Sequence, residues 1–279
     1  MRTLLELIQI TAEYFERRGI EESRLNSELI FAHVLGCARL DLYLQHDRPL
    51  EEPLLARIRP FVKRRGNREP LQYIIGKWEF DGFTLKVDRR ALIPRPETEE
   101  LAAMLVEMCL PPPGRVLDLG TGAGAIAIAL AGRWQDTRVT AVDNDPAALE
   151  LARENLVASG FERRIECVES TWFGSVEGRY GLIVSNPPYL SESEWESAEP
   201  EVRAHEPKCA LVAGSSGLAD LNRIIEDAPD FLEDSGCLAL EIGTDHHESL
   251  TEYARARGYA RWQLKKDLSG RNRFFFLFT

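Results

Sequence analysis

The stretch Arg115–Leu130, RVLDLGTGAGAIAIAL, joins an apolar run of strand type to an apolar run of helical length. Three glycines, Gly120, Gly122 and Gly124, lie between the two runs. Glycine lets a backbone turn tightly and lets a ligand approach it closely. Such a turn could serve a dinucleotide, an adenosyl cofactor or only a tight packing corner between strand and helix. The stretch therefore predicts the first strand of an α/β sheet and leaves its ligand open.

Strand-like and helical runs continue to alternate after this stretch. The strand-like runs are RVLDLG, TRVTAVD, RRIECVES, GLIVSN and GCLALEIG, with helical patterns such as PAALELARENLVASG between them. This alternation predicts a doubly wound, mostly parallel sheet that helices cover on both faces. The last run, RNRFFFLFT, follows a Ser269-Gly270 turn signal and predicts an antiparallel C-terminal hairpin.

The chain before this region has a different pattern. Apolar residues recur at helical spacing to about residue 70, which predicts a small all-helical domain. The run WEFDGFTLKV then alternates around Asp81-Gly82, as a β-hairpin does. We therefore predict a helical domain at 1–72, a β-hairpin linker at 73–92 and the sheet domain at 93–279.

Charge is unevenly distributed along the 279 residues, whose formal net charge is −11. Residues 1–75 carry 12 Lys and Arg against 11 Asp and Glu, whereas residues 76–279 carry 22 against 34. An acidic body matches a phosphate backbone poorly, so we expect no direct binding of nucleic acid. The basic residues between Arg57 and Arg68 are expected to form a solvated helix face rather than a docking surface for a partner.

The N-terminal segment and the cysteines bear on the class of protein. Charged residues interrupt every apolar stretch of MRTLLELIQITAEYFERRGI, which fits neither a signal peptide nor a membrane span. The five cysteines are scattered, without a Cys-x-x-Cys pair. We therefore expect a cytoplasmic protein without a disulfide framework or a metal site, and we expect it to be a monomer.

Acidic residues end the second strand run of the sheet domain. Asp143 lies 23 positions after Gly120, where a carboxylate can accept hydrogen bonds from ribose hydroxyls. Asp145 precedes Pro146 and is expected to cap the next helix, which leaves Asp143 for a ligand. Because the glycine spacing differs from the Gly-x-Gly-x-x-Gly dinucleotide pattern, the ligand we favour is S-adenosylmethionine.

The next two strand runs end in an aromatic residue and in a motif that contains an asparagine. Trp172 could lie against an adenine ring or be a core residue, and the sequence favours neither. The motif SNPPYL, Ser185–Leu190, follows the apolar run YGLIV. Proline restricts its own backbone and that of the preceding residue, and it has no N–H. The Asn186 side-chain oxygen and the Pro187 carbonyl are thus predicted to form a rigid pair of acceptors.

Two convergent acceptors suit a planar NH2 group, beside which Tyr189 can pack. Such acceptors bind both hydrogens of the group and favour charge development on its nitrogen during methyl transfer. Adenine N6, cytosine N4 and a glutamine side chain all present this group. The motif therefore predicts the reaction without choosing the substrate.

Several segments together resemble one family. EPLQYIIGKWEFDGFTLKV, LIPRPETEEL, VLDLGTGAGAIAIAL, VSNPPY and EPKCALVAG are similar to segments of the HemK/PrmC family, peptide chain release factor N5-glutamine methyltransferases. The resemblance covers nearly the whole chain. It implies a class I methyltransferase fold with a substrate-recognition domain at the N-terminus. The implied reaction is methylation, by S-adenosylmethionine, of the glutamine in the Gly-Gly-Gln loop of class I release factors.

The resemblance also implies roles for individual residues. The implied cofactor-binding residues are Gly120, Thr121, Gly122, Ala123, Gly124, Asp143, Trp172 and Asn186. The implied substrate-binding residues are Asn186, Pro187, Pro188 and Tyr189, with Asn186, Pro187 and Tyr189 as the catalytic ones. Arg95, Glu97 and Glu99 are expected either at the pocket edge or in an exposed network of ion pairs.

The sequence departs from the family pattern in two places. Thr171 stands where the family has an acidic residue that contacts the adenine amine, and Glu169 is an alternative for that contact. The stretch Ala213–Gly217 differs from the family's glycine-rich pattern and has no assigned role. Three other functions stay open: a methyltransferase for a ribosomal protein glutamine, an N6-adenine nucleic-acid methyltransferase, and a non-catalytic S-adenosylmethionine-binding docking module.

Overall fold

The computed structural model describes residues 2–279, which form two compact units. The first unit runs to Gly76 and also contains the separate segment Glu199–His205. The second unit consists of Lys77–Ala198 and Glu206–Thr279. In chain order the helices and strands are α1 (Leu4–Glu16), α2 (Ser23–Leu35), α3 (Asp41–Leu44), α4 (Glu52–Gly66), α5 (Leu71–Ile75), β1 (Lys77–Phe80), β2 (Phe83–Lys86), α6 (Pro96–Met108), β3 (Arg115–Leu119), α7 (Ala125–Arg133), β4 (Arg138–Asp143), α8 (Pro146–Ser159), β5 (Ile165–Glu169), β6 (Tyr180–Ser185), α9 (Glu192–Ser197), α10 (Pro200–His205), α11 (Ala219–Asp227), β7 (Leu232–Glu241), α12 (His247–Ala256), β8 (Arg261–Lys266) and β9 (Asn272–Phe278).

Helices form the first unit, as the sequence predicts. A capping box starts α1: the Thr3 side chain accepts from the Glu6 amide, and the Glu6 carboxylate accepts from the Thr3 amide. The apolar face of α1 then packs through Phe15 into a core shared with Ile30 and Phe31 of α2. Burial of these large side chains drives association of the short helices.

The basic cluster of the first unit differs from the expected solvated face. Arg65 is buried, and its guanidinium donates to the Asn26 side chain and to Glu201 of α10. Arg68 donates to the other carboxylate oxygen of Glu201 at 2.9 Å. The expectation of a solvated face is therefore wrong for these two arginines. They bind the segment Glu199–His205 to α4 and to the turn that follows it. Because Glu201 lies 136 and 133 positions from Arg65 and Arg68, helical periodicity could not reveal this partner.

Replacing Glu201 by Gln removes the countercharge of a buried guanidinium. Because a buried charge without a partner is costly, we expect Glu201→Gln to lower the stability of the first unit by about 3 kcal/mol. The measurement is hydrogen exchange of the α4 amides in the full chain. The control is Glu52→Gln, since Glu52 pairs with Arg59 on the same helix but both side chains are exposed. Equal protection in the two variants would contradict this account of Arg65.

The main sheet of the second unit has the strand order β5-β4-β3-β6-β7-β9-β8 in the described chain. Neighbouring strands from β5 to β7 are parallel, whereas β9 pairs antiparallel with both β7 and β8. Side chains alternate between two cores: Val184 packs on the side of α6 and α7, and Ile183 packs on the side of α11 and α12. The predicted fold class is confirmed.

The β-hairpin of the second unit turns at Asp81 and Gly82, whose φ angles are 46° and 79°. Its end is fixed to α8, because the Asn155 side chain accepts from the Lys86 amide and donates to the Lys86 carbonyl. The hairpin thus groups with the second unit in its contacts, and α5 extends the helices to Ile75.

The lengths and compositions of the helices in residues 2–279 bear on whether any of them could cross a membrane. Each described helix is too short or too polar to cross a membrane.

Candidate active site

A cavity opens at the carboxyl end of the parallel strands of the second unit. The strand order reverses between β3 and β6, and at such a switch point the loops after the two strands leave a crevice. The predicted site residues that line the cavity are Gly120, Thr121, Gly122, Ala123, Asp143, Trp172, Asn186 and Pro188. Pro187, Tyr189 and Gly124 lie beside it but outside its lining.

The glycine loop is held from below by a buried carboxylate. Gly120, Gly122 and Gly124 adopt φ angles of 71°, 54° and 83°, a left-handed region that disfavours other residues. The Asp118 carboxylate accepts from the Thr121 hydroxyl at 2.6 Å and from the amide of Ala127 in α7 at 3.2 Å. Burial raises the pKa of Asp118 to about 7. Its Oδ1 atom has no hydrogen-bond partner within residues 2–279.

Asp143 closes the other side of the glycine loop. Its carboxylate accepts from the Gly122 amide at 2.9 Å and from the Asp145 amide at 3.0 Å. Burial raises the pKa of this half-buried group. Each carboxylate oxygen keeps a second lone pair, with which it can accept from a ligand hydroxyl. Asp145 caps α8, because its side chain accepts from the Ala147 amide. The predicted capping role of Asp145 is therefore confirmed.

Trp172 lies both against the core and along the cavity. Its ring lies so close to the glycine loop that a Cβ added to Gly120 would meet it at 3.6 Å. The indole Nε1 donates to the carboxylate of Asp220 at 3.1 Å. Asp220 lies in the first turn of α11 and also lines the cavity, whereas Glu169 is exposed on β5. Asp220 is therefore an acidic group beside the indole that the sequence pattern around Trp172 could not reveal.

Asn186 follows the end of β6, where the Ser185 hydroxyl donates to the Leu119 carbonyl of β3. Its side-chain Nδ2 donates to the Thr98 hydroxyl at 2.9 Å. This contact leaves the Asn186 Oδ1 atom as an acceptor at the cavity wall. Thr98 lies in the first turn of α6, and sequence reasoning named its neighbours Glu97 and Glu99 but missed Thr98 itself.

The two residues on either side of Pro188 point into protein. Pro187 is buried, and the Tyr189 hydroxyl donates to the buried Glu241 carboxylate at 3.1 Å. Burial raises the pKa of the Tyr189 phenol. The packing of Tyr189 beside a substrate amide stays a prediction, as does the acceptor role of the Pro187 carbonyl.

The predicted pocket-edge residues separate into two groups. Arg95 lines the cavity and pairs with buried Glu206 at 2.6 Å, and Glu206 also accepts from the Ile93 amide. Glu99 instead accepts from the Asp81 amide in the turn of the hairpin. Arg95 thus belongs to the wall of the cavity, and Glu99 supports the hairpin.

The loop Ala213–Gly217, which the sequence left without a role, supports the Asn-Pro-Pro-Tyr motif. The Leu190 amide donates to the Leu211 carbonyl, and the Ala213 amide donates to the Leu190 carbonyl. At Gly217 the two chains come so close that an added Cβ would lie 2.2 Å from the Tyr189 carbonyl oxygen. The loop therefore packs against the motif and holds its backbone through hydrogen bonds.

Comparison with known proteins gives the family. A family model described as the PrmC N-terminal domain matches residues 6–76, and one described as the methyltransferase small domain matches residues 98–201. A release factor glutamine methyltransferase of Chlorobaculum tepidum is 41% identical over 256 residues, which cover 87% of this chain and 86% of the relative. The chain belongs to the release factor glutamine methyltransferase family. A Geobacter sulfurreducens member is 37% identical, with coverage of 97% and 95%, and a human member is 36% identical, with coverage of 98% and 87%.

Solved structures agree with the fold at lower sequence identity. The catalytic domain of hMettl16, in complex with an RNA hairpin, has a TM-score of 0.59 and is 18% identical over 81% of each chain. A T. thermophilus 16S rRNA methyltransferase, in complex with AdoMet and guanosine, has a TM-score of 0.53 and is 19% identical over 73% of this chain and 49% of its own. These likenesses support the class I methyltransferase fold.

The residues around the glycine loop fit an adenosyl cofactor. The left-handed glycines leave room for close approach of a ligand, and Asp143 can accept from ribose hydroxyls. The indole of Trp172 adds an aromatic surface to the cavity wall. This set of groups suits a ligand that carries ribose hydroxyls and an aromatic ring.

Substitution of Gly217 tests the role of the loop behind the motif. In Gly217→Ala the new methyl group would overlap the Tyr189 carbonyl, so we expect the motif to shift and methyl transfer to fall on the order of 100-fold. The measurement is turnover beside the thermal unfolding midpoint. The matched control is Gly214→Ala, because Gly214 has a similar φ of 70° but open space around its Cβ position. Equal losses of turnover in both variants would show that backbone strain, not contact with the motif, is responsible.

Proposed function

We propose that the chain methylates the side-chain amide nitrogen of the glutamine in the Gly-Gly-Gln loop of class I peptide chain release factors. S-adenosylmethionine would be the methyl donor and S-adenosylhomocysteine the product. The observation that carries the proposal is the position of Asn186, whose amide oxygen is left free at the wall of a cavity that also contains the glycine loop. Sequence relatives that are named for release factor glutamine support the choice of substrate.

The site has to make a poor nucleophile react. An amide nitrogen shares its lone pair with the carbonyl group, so it attacks slowly in water. The Asn186 Oδ1 atom and the Pro187 carbonyl would accept the two hydrogens of the substrate amide. Both acceptors then favour charge development on nitrogen, and their rigid backbone holds the lone pair toward the reacting methyl group. No strong base is needed before the attack, because the nitrogen proton becomes acidic once the nitrogen is alkylated.

The cofactor end of the cavity has a matching set of groups. S-adenosylmethionine supplies an electrophilic methyl group on its sulfonium sulfur when it is bound. We assign the ribose hydroxyls to Asp143 and the adenine ring to the surface of Trp172. Since Thr171 cannot accept as a carboxylate does, we assign the adenine amine to Asp220, which is fixed by the Trp172 indole.

The two units would divide the work. We propose that the first unit recognises the release factor and that the second binds the cofactor and performs the transfer. Nucleic acid and a ribosomal protein are the alternative substrates, and a methyl-transfer assay with competing substrates distinguishes them from a release factor.

Substitution of Asp220 tests the assignment of the adenine amine. Asp220→Ala removes an acceptor from the cavity, so we expect the Kd for S-adenosylmethionine to rise about tenfold, the loss of one hydrogen bond to a charged group. Isothermal titration of the full chain measures this change. Glu169→Ala is the control, because Glu169 is exposed on β5 and is expected to leave the Kd unchanged. If only Glu169→Ala weakens binding, the acceptor for the adenine amine is Glu169 and not Asp220.

A labelled-methyl assay tests the reaction itself. The full chain is incubated with labelled S-adenosylmethionine and purified class I release factor, beside a release factor whose loop glutamine is replaced by alanine. We expect label on the first protein and none on the second, because the alanine offers no amide nitrogen. A ribosomal protein and an adenine-containing DNA serve as competing substrates. Label on both release factors, on neither, or faster on a competitor would overturn the proposal.

A further inference from the structure

The side chain of Asn186 has two ends of opposite character. Its Oδ1 atom accepts a hydrogen bond, whereas its Nδ2 atom donates two. The proposed reaction needs the oxygen toward the substrate amide, because an NH2 group there would meet another NH2 group. Rotation of the Asn186 amide by half a turn would therefore remove the acceptor while leaving the shape of the site unchanged.

A chain of hydrogen bonds behind Asn186 decides this orientation. The Thr98 hydroxyl donates to the Glu241 carboxylate at 2.7 Å, and an ionised carboxylate can only accept. The single hydroxyl hydrogen of Thr98 is thus used, and the Thr98 oxygen can only accept from Asn186. The contact of 2.9 Å between Asn186 Nδ2 and Thr98 Oγ1 has this direction.

Glu241 is fixed from a second side of the same motif. Its other carboxylate oxygen accepts from the Tyr189 hydroxyl at 3.1 Å, and the Arg273 guanidinium lies 3.4 Å from that hydroxyl. Glu241 is 1% exposed and Thr98 is 5% exposed, so water does not compete for these bonds. Burial raises the pKa of Glu241, and the hydrogen bonds from Thr98 and Tyr189 and the charge of Arg273 oppose this shift. One carboxylate at the end of β7 thereby holds both Asn186, through Thr98, and Tyr189.

We propose that Thr98 and Glu241 are positioning residues that orient the Asn186 amide with its oxygen toward the substrate. This inference rests on the proposed function, since it concerns the acceptor for the glutamine amide. Glu241 lies behind the cavity wall and Thr98 lies in it, and we assign their effect to the hydrogen bonds to Asn186 and Tyr189. Loss of the Thr98 hydroxyl should accordingly affect turnover much more than cofactor binding.

Paired substitutions of Thr98 separate orientation from packing. Thr98→Val keeps the shape of the side chain but removes the hydroxyl, whereas Thr98→Ser keeps the hydroxyl but removes the methyl group. If hydrogen bonding to Asn186 matters, Thr98→Val lowers kcat on the order of 10- to 100-fold and Thr98→Ser restores most of it. If packing matters, Thr98→Ser is the more damaged variant. The Kd for S-adenosylmethionine and the KM for release factor are expected to change little in either.

A threonine outside the site provides the control for a buried hydroxyl. Thr137 is 2% exposed and donates to the Pro113 carbonyl at 2.8 Å. Thr137→Val therefore removes a comparable bond, and we expect lower stability with unchanged kcat. In an Asn186→Ala background, Thr98→Val is expected to cause no further loss of kcat, because the group that it orients is absent.

The possible outcomes distinguish this inference from the proposed function. Absence of methyl transfer by the unmodified chain overturns both. An active chain in which Thr98→Val keeps its kcat, or in which Thr98→Ser loses as much as Thr98→Val, overturns the positioning role alone. A further loss on adding Thr98→Val to Asn186→Ala also overturns it, because the effect then does not pass through Asn186.

Discussion

The buried carboxylate of Asp118 is the interaction on which the site and the fold both depend. It lies near the end of the inner strand β3 and accepts from the loop, at Thr121, and from the helix α7, at Ala127. The strand, the glycine loop and the helix are thereby held in one geometry. Because β3 is bordered by β4 on one side and β6 on the other, the positions of Asp143 and Asn186 follow from this arrangement.

Short-range patterns predicted the fold well because each of its elements leaves a local signal. The left-handed turn at Asp81 and Gly82, the Asp145 cap and the alternation of strands and helices all come from neighbouring residues. The same patterns placed Gly122 and Asp143 together, since parallel strands bring their carboxyl ends to one edge. What could be predicted is thus what backbone geometry decides within a few residues.

The rest of the site depends on pairs that are far apart in sequence. Thr98 contacts Asn186 across 88 positions and Glu241 across 143, so no local periodicity relates them. Asp220 reaches the Trp172 indole across 48 positions. For Arg65 the local pattern was misleading, because a run of charges on a helix is usually solvated. Arg65 is instead buried against Glu201, which belongs to a distant segment. The polar groups that support the predicted residues therefore needed the structure.

The segment Glu199–His205 has a consequence for how this protein can be divided. It belongs to the first unit by its contacts, although 122 residues of the second unit precede it in the chain. A chimera that exchanges only the first 76 residues with a relative would separate Glu201 from the arginines that it compensates. Such an exchange would have to include the short distal segment as well, because the first unit is built from two segments that are far apart in the sequence.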